Sequence, residues 1–344
     1  MSLHLVVPGL FWPSATLRET CRDLPLPSLS ALLGRGERKI AHAASLLDWL
    51  ADAFSLSGDE LPWGALRLSG ESGASADGVW LCADPAHLRF ARDTLVLADA
   101  HELAVTADEA EQLTTALNSH LAGVGRFHAA SPERWYLGLD AAPRLRTQPL
   151  ERVVGRSFDQ YLPEGDDSRR WRAVLNEAQM LLHAHPVNAA REAAGQPVIN
   201  SLWLWGAGSL PRQDSCPFGA VFADDPLVLG LARGARAAAA RLPRDAAQAI
   251  ARADRETVLV LADLLRAAET YRDASLWRSQ LVRLEQEWLA PLLGALYGGS
   301  LRELRLTGLG DEAAIEVALT AADRWKFWRR PVALGDLDRD IAAS

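Results

Sequence analysis

Short apolar runs alternate with amphipathic stretches over most of the chain. Residues 3–10, LHLVVPGL, form an apolar run that ends in Pro-Gly, a pattern typical of a strand buried on both faces. The following segment, LPSLSALLGRG, predicts a helix because its leucines recur at helical spacing and glycines come at its end. A second amphipathic helix is predicted for residues 40–56, IAHAASLLDWLADAFSL.

The middle of the chain has the pattern of strands separated by two long helices. Four runs rich in branched and aromatic residues predict strands: VWLCADPAHL, TLVLAD, RWYLGL and SLWLWGAG. One helix begins at Thr106, whose spacing to Glu109 fits a capping box. The other covers residues 166–184 and must end before Pro186, since a prolyl ring disfavours helix for the residue ahead of it.

The last third of the chain alternates strand and helix. FGAVFAD, TVLVLADLL and LRELRLTGLG predict strands, with helices over 225–242 and 273–299, and an alanine-rich helix near 236–253. Such alternation favours an α/β fold with a mostly parallel sheet covered by helices on both faces. The predicted N-terminal strand also has to be part of this sheet. We therefore expect a discontinuous sheet domain, 1–74 and 208–344, with 75–207 inserted as an α+β domain after the small-residue linker SGESGASADG.

The composition limits which kinds of binding partner and which cellular compartment we expect for this protein. The chain has 344 residues and a net charge of −8, so we expect no nucleic-acid partner. No apolar run approaches the roughly 18 residues of a membrane span, so we expect no membrane either. Three scattered cysteines favour a reducing, cytoplasmic location.

The run RWKFWRRP, residues 324–331, is a basic-aromatic patch that either holds an anion or base or is a solvated chain end with anchoring aromatics.

One segment resembles a known family. HPVNAAREAAGQPVINSLWLWGAG, residues 185–208, is similar to a segment of the archaeal-type cofactor-independent phosphoglycerate mutases. Weaker similarities occur elsewhere along the chain, in the same order as in the family. They are LPSLSALLGRG, SLLDWL, VTADEAEQLTTALNSHL and GAVFADDPLVLGLARGA. Taken as a whole, the sequence resembles the bacterial RpfE-type regulatory proteins more closely. The resemblance implies an alkaline-phosphatase-like sheet domain with an inserted substrate domain.

The chemistry implied by this resemblance needs an alcohol nucleophile and two metal ions. The family has an Asp-Gly after its first strand, but this chain has Pro8-Gly9 there. The position of the family's nucleophile corresponds to the region near Lys39 of this chain. All eight histidines lie at or before His185, so the family's later histidine ligands are missing. We therefore expect no catalytic residues, metal or cofactor. The alternative is a carboxylate-bound Mg²⁺, for which the sequence offers Asp224, Asp225, Asp263, Asp311 and Glu312.

The arginines expected around a phosphorylated substrate are also reduced in number. The resemblance implies an arginine beside Cys82 and another before Gly206, where this chain has Trp205. Arg134 and Arg191 are still present, and each guanidinium could donate two hydrogen bonds to the oxygens of an anionic ligand. Two of the cationic contacts for a triose phosphate are therefore missing, although a smaller anionic or aromatic ligand could still fit.

Eight residues are the candidates for binding such a ligand, and each has a structural alternative. The expected cleft combines His185, Asn188, Arg191, Asn200, Trp205, His87, Asp84 and Arg134. Alternatively, His183 and His185 cap a helix end, Asn188 bonds loop backbone and Asp84 forms a turn beside Pro85. The tryptophans either wall an apolar pocket or pack in the core; they include Trp12, Trp80, Trp135, Trp171, Trp203 and Trp205.

Three functional hypotheses follow. The first is a non-catalytic relative of the mutases whose role is ligand sensing or regulation through a protein partner. The second is a divergent phosphomutase or phosphatase that uses oxygen-ligated Mg²⁺ or no metal, with His185 or His87 as the acid–base group. The third is a scaffold whose tryptophans are all core.

Overall fold

The chain divides into two compact units. The computed structural model describes residues 1–42, 45–58, 60–71, 76–91, 94–212, 216–253, 257–310 and 313–337. Contacts group Met1–Leu56 with Gln213–Ser344 as one unit and Ser57–Arg212 as the other. These bounds differ from the predicted ones at 74/75 and 207/208. The helix Trp63–Gly70 accounts for part of the difference, because a Cβ at Gly64 would lie 2.5 Å from the Cα of Leu81 in the second unit.

The described residues form twelve strands and thirteen helices, labelled in chain order. The strands are β1 (Ser2–Pro8), β2 (Glu37–His42), β3 (Val79–Ala91), β4 (Thr94–Ala98), β5 (Arg126–Ser131), β6 (Arg134–Leu139), β7 (Ser201–Gly208), β8 (Ala220–Phe222), β9 (Ala238–Ala240), β10 (Thr257–Leu261), β11 (Glu303–Leu309) and β12 (Ala313–Thr320). The helices are α1 (Ser14–Thr20), α2 (Pro27–Arg35), α3 (Leu46–Ala53), α4 (Trp63–Gly70), α5 (Ala100–Leu103), α6 (Ala107–His120), α7 (Ser168–His183), α8 (Pro186–Ala193), α9 (Pro226–Gly234), α10 (Ala246–Arg252), α11 (Arg266–Thr270), α12 (Ala274–Leu284) and α13 (Ala290–Tyr297). A π-helical turn, Glu285–Leu289, joins α12 to α13.

The first unit contains a seven-stranded sheet in the order β2-β12-β11-β1-β10-β8-β9. β12 runs antiparallel to both of its neighbours, and the other pairs are parallel. Helices connect most of the parallel strands, as right-handed crossover connections require of such sheets. The mostly parallel α/β fold expected from the alternating pattern is confirmed.

Both faces of this sheet are covered. Leu3 and Leu5 of β1 pack in a core with leucines of α2 and α12, whereas His4 between them lies on the other face. There the His4 ring meets Trp49 of α3 edge-on, with 5.3 Å between ring centroids. Burial on both faces explains why the parallel strands appear as nearly continuous apolar runs.

The second unit is built on a five-stranded antiparallel sheet. β3 is its longest strand and pairs with β4, β6 and β7, while β5 pairs with β6. α6 and α7 lie on the sheet through one shared apolar core. The predicted capping box of α6 is confirmed, with Thr106 and Glu109 bonding each other's backbone N–H groups.

Several predicted helices are shorter than the pattern suggested. Residues 40–42 belong to β2, which pairs with β12, and the following helix begins only after its N-cap at Ser45. Ala238–Ala240 form the short parallel strand β9 beside β8 despite the helix propensity of alanine. In both places pairing with a neighbouring strand outweighs local preference. α8, which begins at Pro186, and the strand β12 were not predicted.

Candidate functional site

Two carboxylates and a guanidinium meet where β8 and β10 of the first unit end. Parallel strands bring their carboxyl ends to one edge of a sheet. Asp225 follows β8 and Asp263 follows β10, and the Arg266 Nη2 forms an ion pair with both. Its distance to the Asp225 Oδ2 is 3.2 Å, and the other Asp225 oxygen accepts from the Leu227 N–H at 2.8 Å as the cap of α9.

The end of β1 fits against this group. Gly9 has a φ of +75°, and a Cβ there would lie 2.7 Å from the Leu265 carbonyl carbon and 2.8 Å from the Arg266 nitrogen. The Gly9 carbonyl accepts a 2.8 Å hydrogen bond from the Trp277 indole. Only glycine suits this conformation and contact. It lets the backbone before Arg266 pack directly on the tip of the first strand.

The electrostatics of Asp263 are unusual. Burial raises the pKa of this carboxyl, Arg266 acts in the opposite direction, and the nearby Asp225 and Asp224 raise it further. Its Oδ1 atom is buried and has no hydrogen-bond partner. Arg266 therefore supplies the positive charge that keeps the Asp225 and Asp263 carboxylates together at this edge.

The described residues do not fit the two-metal centre that the resemblance implies. Within them, no group of three or more His, Cys, Asp and Glu side chains is arranged to hold a metal ion. A cation shared by Asp225 and Asp263 would need the position that the Arg266 guanidinium takes. Asp311 and Glu312, two of the residues offered for Mg²⁺, lie outside the described residues.

The region expected to hold a nucleophile carries no activated hydroxyl. Lys39 is exposed on β2 and lies opposite Glu316 in the register between β2 and β12. The next hydroxyl along the chain, on Ser45, donates to the Asp48 carboxylate at 2.7 Å and accepts from the Asp48 N–H at 3.2 Å. This serine serves as a helix cap.

A buried polar network in the second unit brings Asp84 and Trp205 together. The Arg67 guanidinium donates to both Asp84 oxygens, at 2.6 and 3.0 Å, and the Trp205 indole donates to the same carboxylate at 2.8 Å. Arg67 also donates to the Tyr136 hydroxyl at 3.0 Å. Asp84 is 1% exposed and lies within β3 opposite Trp203, so the expectation of a turn beside Pro85 is wrong. Its partners from α4 and β7 allow a carboxylate to sit inside the strand.

The network continues from Tyr136 to Arg134. The Tyr136 hydroxyl donates to the Glu71 Oε1 at 3.0 Å, and Arg134 forks the same carboxylate at 2.6 and 3.3 Å. The guanidinium of Arg67 lies 4.7 Å from the Tyr136 ring centroid and 5.4 Å from that of Trp205. Aromatic faces and carboxylates thus surround a single buried cation.

The charges in this network are balanced within the protein. Burial by itself would lower the pKa of Arg67, but the Asp84 carboxylate raises that pKa well above its ordinary value. Burial by itself would also lower the pKa of Arg134, but the Glu71 carboxylate raises that pKa above its ordinary value. Burial is also the main reason that the pKa of Tyr136 is raised. Both arginines therefore remain charged and Tyr136 remains neutral across the ordinary pH range.

Asn188 and Arg191 serve as clamps for the loop between α8 and β7. The Asn188 amide donates to the carbonyls of Leu182 and Ile199 and accepts from the Ile199 N–H, all at 2.7 Å. Arg191 pairs with Glu109 at 2.8 Å and donates to the Pro197 carbonyl at 2.7 Å. Both side chains are buried, and their polar groups join this loop to Leu182 in the last turn of α7 and to Glu109 of α6.

The remaining candidates also bond the backbone. The His185 Nδ1 accepts from the Val187 N–H at 3.2 Å, which makes this histidine the N-cap of α8 rather than the end of α7. The His87 Nδ1 lies 2.8 Å from the Val198 carbonyl. Asn200 bonds both backbone groups of Leu88, at 2.7 and 2.9 Å. The His87 and Asn200 contacts join the loop before β7 to β3, whereas the His185 contact stays within the start of α8.

The tryptophans are divided between several environments. Trp135 and Trp203 are fully buried, with indole N–H groups donated to the carbonyls of Pro132 and Gln148. Trp12 packs on Trp277 in the first unit, with ring centroids 5.6 Å apart. The indole nitrogen of Trp171 is buried without a hydrogen-bond partner.

Sequence reasoning missed three members of the network, Arg67, Glu71 and Tyr136. Arg67 and Glu71 lie in and just after α4, where nearly every residue is buried and the pattern is not amphipathic. A lone arginine within the apolar run LPWGALRLSG was the one available signal, since a buried arginine needs a carboxylate partner.

Comparison with known proteins agrees with this architecture. No protein-family model matches the chain. The 2,3-bisphosphoglycerate-independent phosphoglycerate mutase of Methanosarcina acetivorans is 30% identical over 145 residues, which are 40% of this chain and 36% of that protein. The mutase of Methanosarcina mazei is 29% identical over the same length. The matched segment thus spans just over a third of the length of these relatives.

Solved structures cover nearly the whole chain. A cofactor-independent phosphoglycerate mutase from Thermoplasma acidophilum superposes with a TM-score of 0.51 at 20% identity, over 97% of this chain and 94% of its own. The PH0037 protein from Pyrococcus horikoshii superposes with a TM-score of 0.63 at 15% identity, over 99% and 95%. At these identities the likeness shows the fold alone.

The chain therefore shares the fold of these two solved structures, an α/β fold with a mostly parallel sheet and helices. Its sequence is related to those of the cofactor-independent phosphoglycerate mutases. Among the residues that the structure describes, no helix is long and apolar enough to cross a membrane.

Proposed function

We propose that this chain is a catalytically inactive relative of the cofactor-independent phosphoglycerate mutases and that it acts by sensing a ligand or regulating a protein partner. The observation that carries the proposal is the Arg266 guanidinium between Asp225 and Asp263. An internal cation at the strand ends competes directly with a divalent metal for the same carboxylate oxygens. Loss of bound metal would remove the activation of an alcohol that a metal ion supplies in phosphoryl transfer.

The second unit supports the same proposal. Three buried or half-buried guanidinium groups already pair with carboxylates of the protein: Arg67 with Asp84, Arg134 with Glu71 and Arg191 with Glu109. A triose phosphate would have to displace these partners. Breaking a buried pair is costly, because it leaves an uncompensated charge.

A small anion remains the favoured ligand. Arg134 is the most accessible of these arginines, with 34% of its side chain exposed, against 10% for Arg67 and 3% for Arg191. An anion that exchanges with Glu71 at Arg134 would perturb Tyr136 and, through it, Arg67. This gives a binding event a path to the buried network without any chemistry.

The experiment is a mutase assay with 3-phosphoglycerate in Mn²⁺ and in Mg²⁺, together with elemental analysis of the purified protein. We expect no turnover above the protein-free rate and no stoichiometric metal. Turnover that disappears in Asp263→Asn but persists in Asp108→Asn, an exposed carboxylate on α6, would show that the strand ends are catalytic.

The second candidate is a divergent phosphomutase or phosphatase with oxygen-ligated Mg²⁺. The buried, unpartnered Oδ1 of Asp263 favours it, because Mg²⁺ prefers oxygen ligands and Asp224 and Asp225 lie close by. Calorimetric titration of the wild-type protein with Mg²⁺ separates the two proposals. Saturable binding at one site, lost in Asp263→Asn, would favour the enzyme, and no binding would favour the inactive relative.

A further inference from the structure

The segment Arg324–Arg330, RWKFWRR, concentrates cations and aromatic rings in a chain that is acidic overall. Four of its seven residues are basic, whereas the whole chain has 36 basic and 44 acidic residues. Its three aromatic side chains are exposed to solvent: Trp325 by 64%, Phe327 by 81% and Trp328 by 67%. We refer to residues 324–330 as the basic-aromatic segment. Contiguous exposed rings of this kind mark an interaction surface.

Polar contacts hold this segment in place on the first unit. A capping box between Thr320 and Asp323 starts the short 3-10 helix that leads into it, and Lys326 forms an ion pair with Asp323. The Arg329 guanidinium donates to the carbonyls of Arg35 and Gly36, at 3.4 and 3.2 Å. The rings are therefore presented outward by a fixed backbone rather than by a loose chain end.

The packing beside α2 adds to this rigidity. A Cβ at Gly34 would lie 2.8 Å from the Pro331 Cα, and the Val332 N–H donates to the Ser30 carbonyl at 3.0 Å. The backbone just after the basic-aromatic segment is thus fastened to the helix. The backbone that carries the exposed rings is therefore held on both sides of the segment.

The ring geometry does not suit a stacked nucleic acid. Phe327 and Trp328 meet edge to face, with centroids 5.3 Å apart and an angle of 81° between their planes. The guanidinium of Arg324 covers one face of Trp325 at 4.7 Å. Successive bases stack on open ring faces, and here one face is taken and two rings are perpendicular.

The interfacial region of a bilayer accepts aromatic rings without requiring stacked faces. Tryptophan is enriched at that depth, and each Lys or Arg near an anionic surface adds electrostatic attraction. The segment offers both kinds of contact together, which is what stable reversible anchoring needs. We propose that the basic-aromatic segment binds an anionic lipid surface through the rings of Trp325, Phe327 and Trp328.

Composition predicts no membrane partner, because no apolar run is long enough to cross a bilayer. A segment that lies on the surface needs no such run. The net charge of −8 opposes approach to an anionic bilayer, so binding depends on the local cations and on the inserted rings. The proposal concerns this one face of the first unit and is independent of whether the chain is catalytic.

The test is co-sedimentation of the full chain with two kinds of vesicle, phosphatidylglycerol mixed with phosphatidylcholine and phosphatidylcholine alone. We expect binding to the anionic vesicles, weakening as salt is added, and quenching of tryptophan emission by brominated lipid. The double variant Trp325→Ala/Trp328→Ala should bind at least about tenfold more weakly. Arg330→Gln should weaken binding less and reduce its salt dependence.

The matched control is Phe90→Ala, which removes an equally exposed aromatic ring, 83% exposed, from the second unit. It should bind anionic vesicles like the wild type. All three variants alter exposed side chains, so unchanged thermal unfolding will show that each is folded. Equal binding to both vesicle types, or wild-type binding by the double variant, would overturn the proposal. So would a tryptophan-dependent shift with single-stranded RNA or a concentration-dependent dimer in the absence of vesicles.

Discussion

Arg67 and Asp84 face each other in the second unit as a bidentate pair, with 2.6 Å from Nη2 to Oδ1 and 3.0 Å from Nη1 to Oδ2. The pair joins α4 to the middle of β3, and the Trp205 indole adds β7 to the same carboxylate. Both residues are buried, at 8% and 1% exposure. A charge placed inside a strand is acceptable here because a cation from another element meets it.

Breaking this pair should destabilise the protein strongly. Arg67→Met leaves the Asp84 carboxylate buried without its cation, and we expect a loss of about 3–5 kcal/mol in the free energy of unfolding. Urea unfolding measures it. The double variant Arg67→Met/Asp84→Leu should lose less than either single variant, because neither charge is then left alone.

The control for that prediction is an exposed pair. Arg146 and Glu164 lie 3.2 Å apart with 71% and 67% of their side chains exposed, so Arg146→Met should cost less than about 1 kcal/mol. Equal losses for Arg67→Met and Arg146→Met would show that the buried network is not a stabilising unit.

Removing Arg266 should make the strand ends respond to divalent cations. In Arg266→Gln, the carboxylates of Asp225 and Asp263 lose their shared cation, so the melting temperature should fall and then recover when Mg²⁺ or Mn²⁺ is added. The wild type should show no such recovery. Thermal unfolding with and without metal measures both.

Arg272→Gln is the matched control, since Arg272 lies just after α11, the helix that begins at Arg266, and pairs with Glu269 of that helix at 2.9 Å. Its melting temperature should not depend on metal. If the wild type is stabilised by Mg²⁺ as much as the Arg266 variant, the guanidinium does not compete with metal and the proposed inactivity loses its main support.

His4 should make stability depend on pH. Burial, with a smaller contribution from Arg305, lowers the pKa of this histidine from 6.5 to about 3. The unfolded chain therefore binds a proton near pH 6.5 that the folded chain refuses until about pH 3. Stability is highest above the unfolded pKa and falls as pH drops through this window, by at most about 1.4 kcal/mol per pH unit.

The comparison variant is His4→Gln, which removes the titrating ring next to Thr307 and Trp49. Its urea midpoint should change less steeply than that of the wild type between pH 6.5 and pH 3. His120→Gln, on the exposed end of α6, should keep the wild-type slope. Parallel slopes for wild type and His4→Gln would contradict the assignment.

Asn188 should matter for folding more than an ordinary asparagine. Asn188→Ala leaves the Ile199 N–H and two buried carbonyls without partners, and we expect a loss of about 1–3 kcal/mol. Asn176→Ala, on the exposed face of α7, should change stability by less than about 0.5 kcal/mol. Chemical unfolding of both variants checks this, and a neutral Asn188→Ala would leave the residue available for a ligand instead.

The candidate site was predictable in part. Asp84, Arg134 and Trp205 were singled out, and they do share one network, but its centre, Arg67, was not. Asp followed by Pro favours a turn locally, and that preference concealed a strand position. The partner that reverses the preference lies on another element, so no local pattern carries it.

The sequence by itself determined the alternation of apolar strands and helices, and with it the parallel sheet. It also determined local caps such as Thr106 with Glu109, because their partners lie within one turn. Only the tertiary structure decided which charges meet. Arg266 stands between Asp225 and Asp263, and Arg67 beneath Trp205, because electrostatic energy depends on distance in space and strand pairing brings remote residues to the same place.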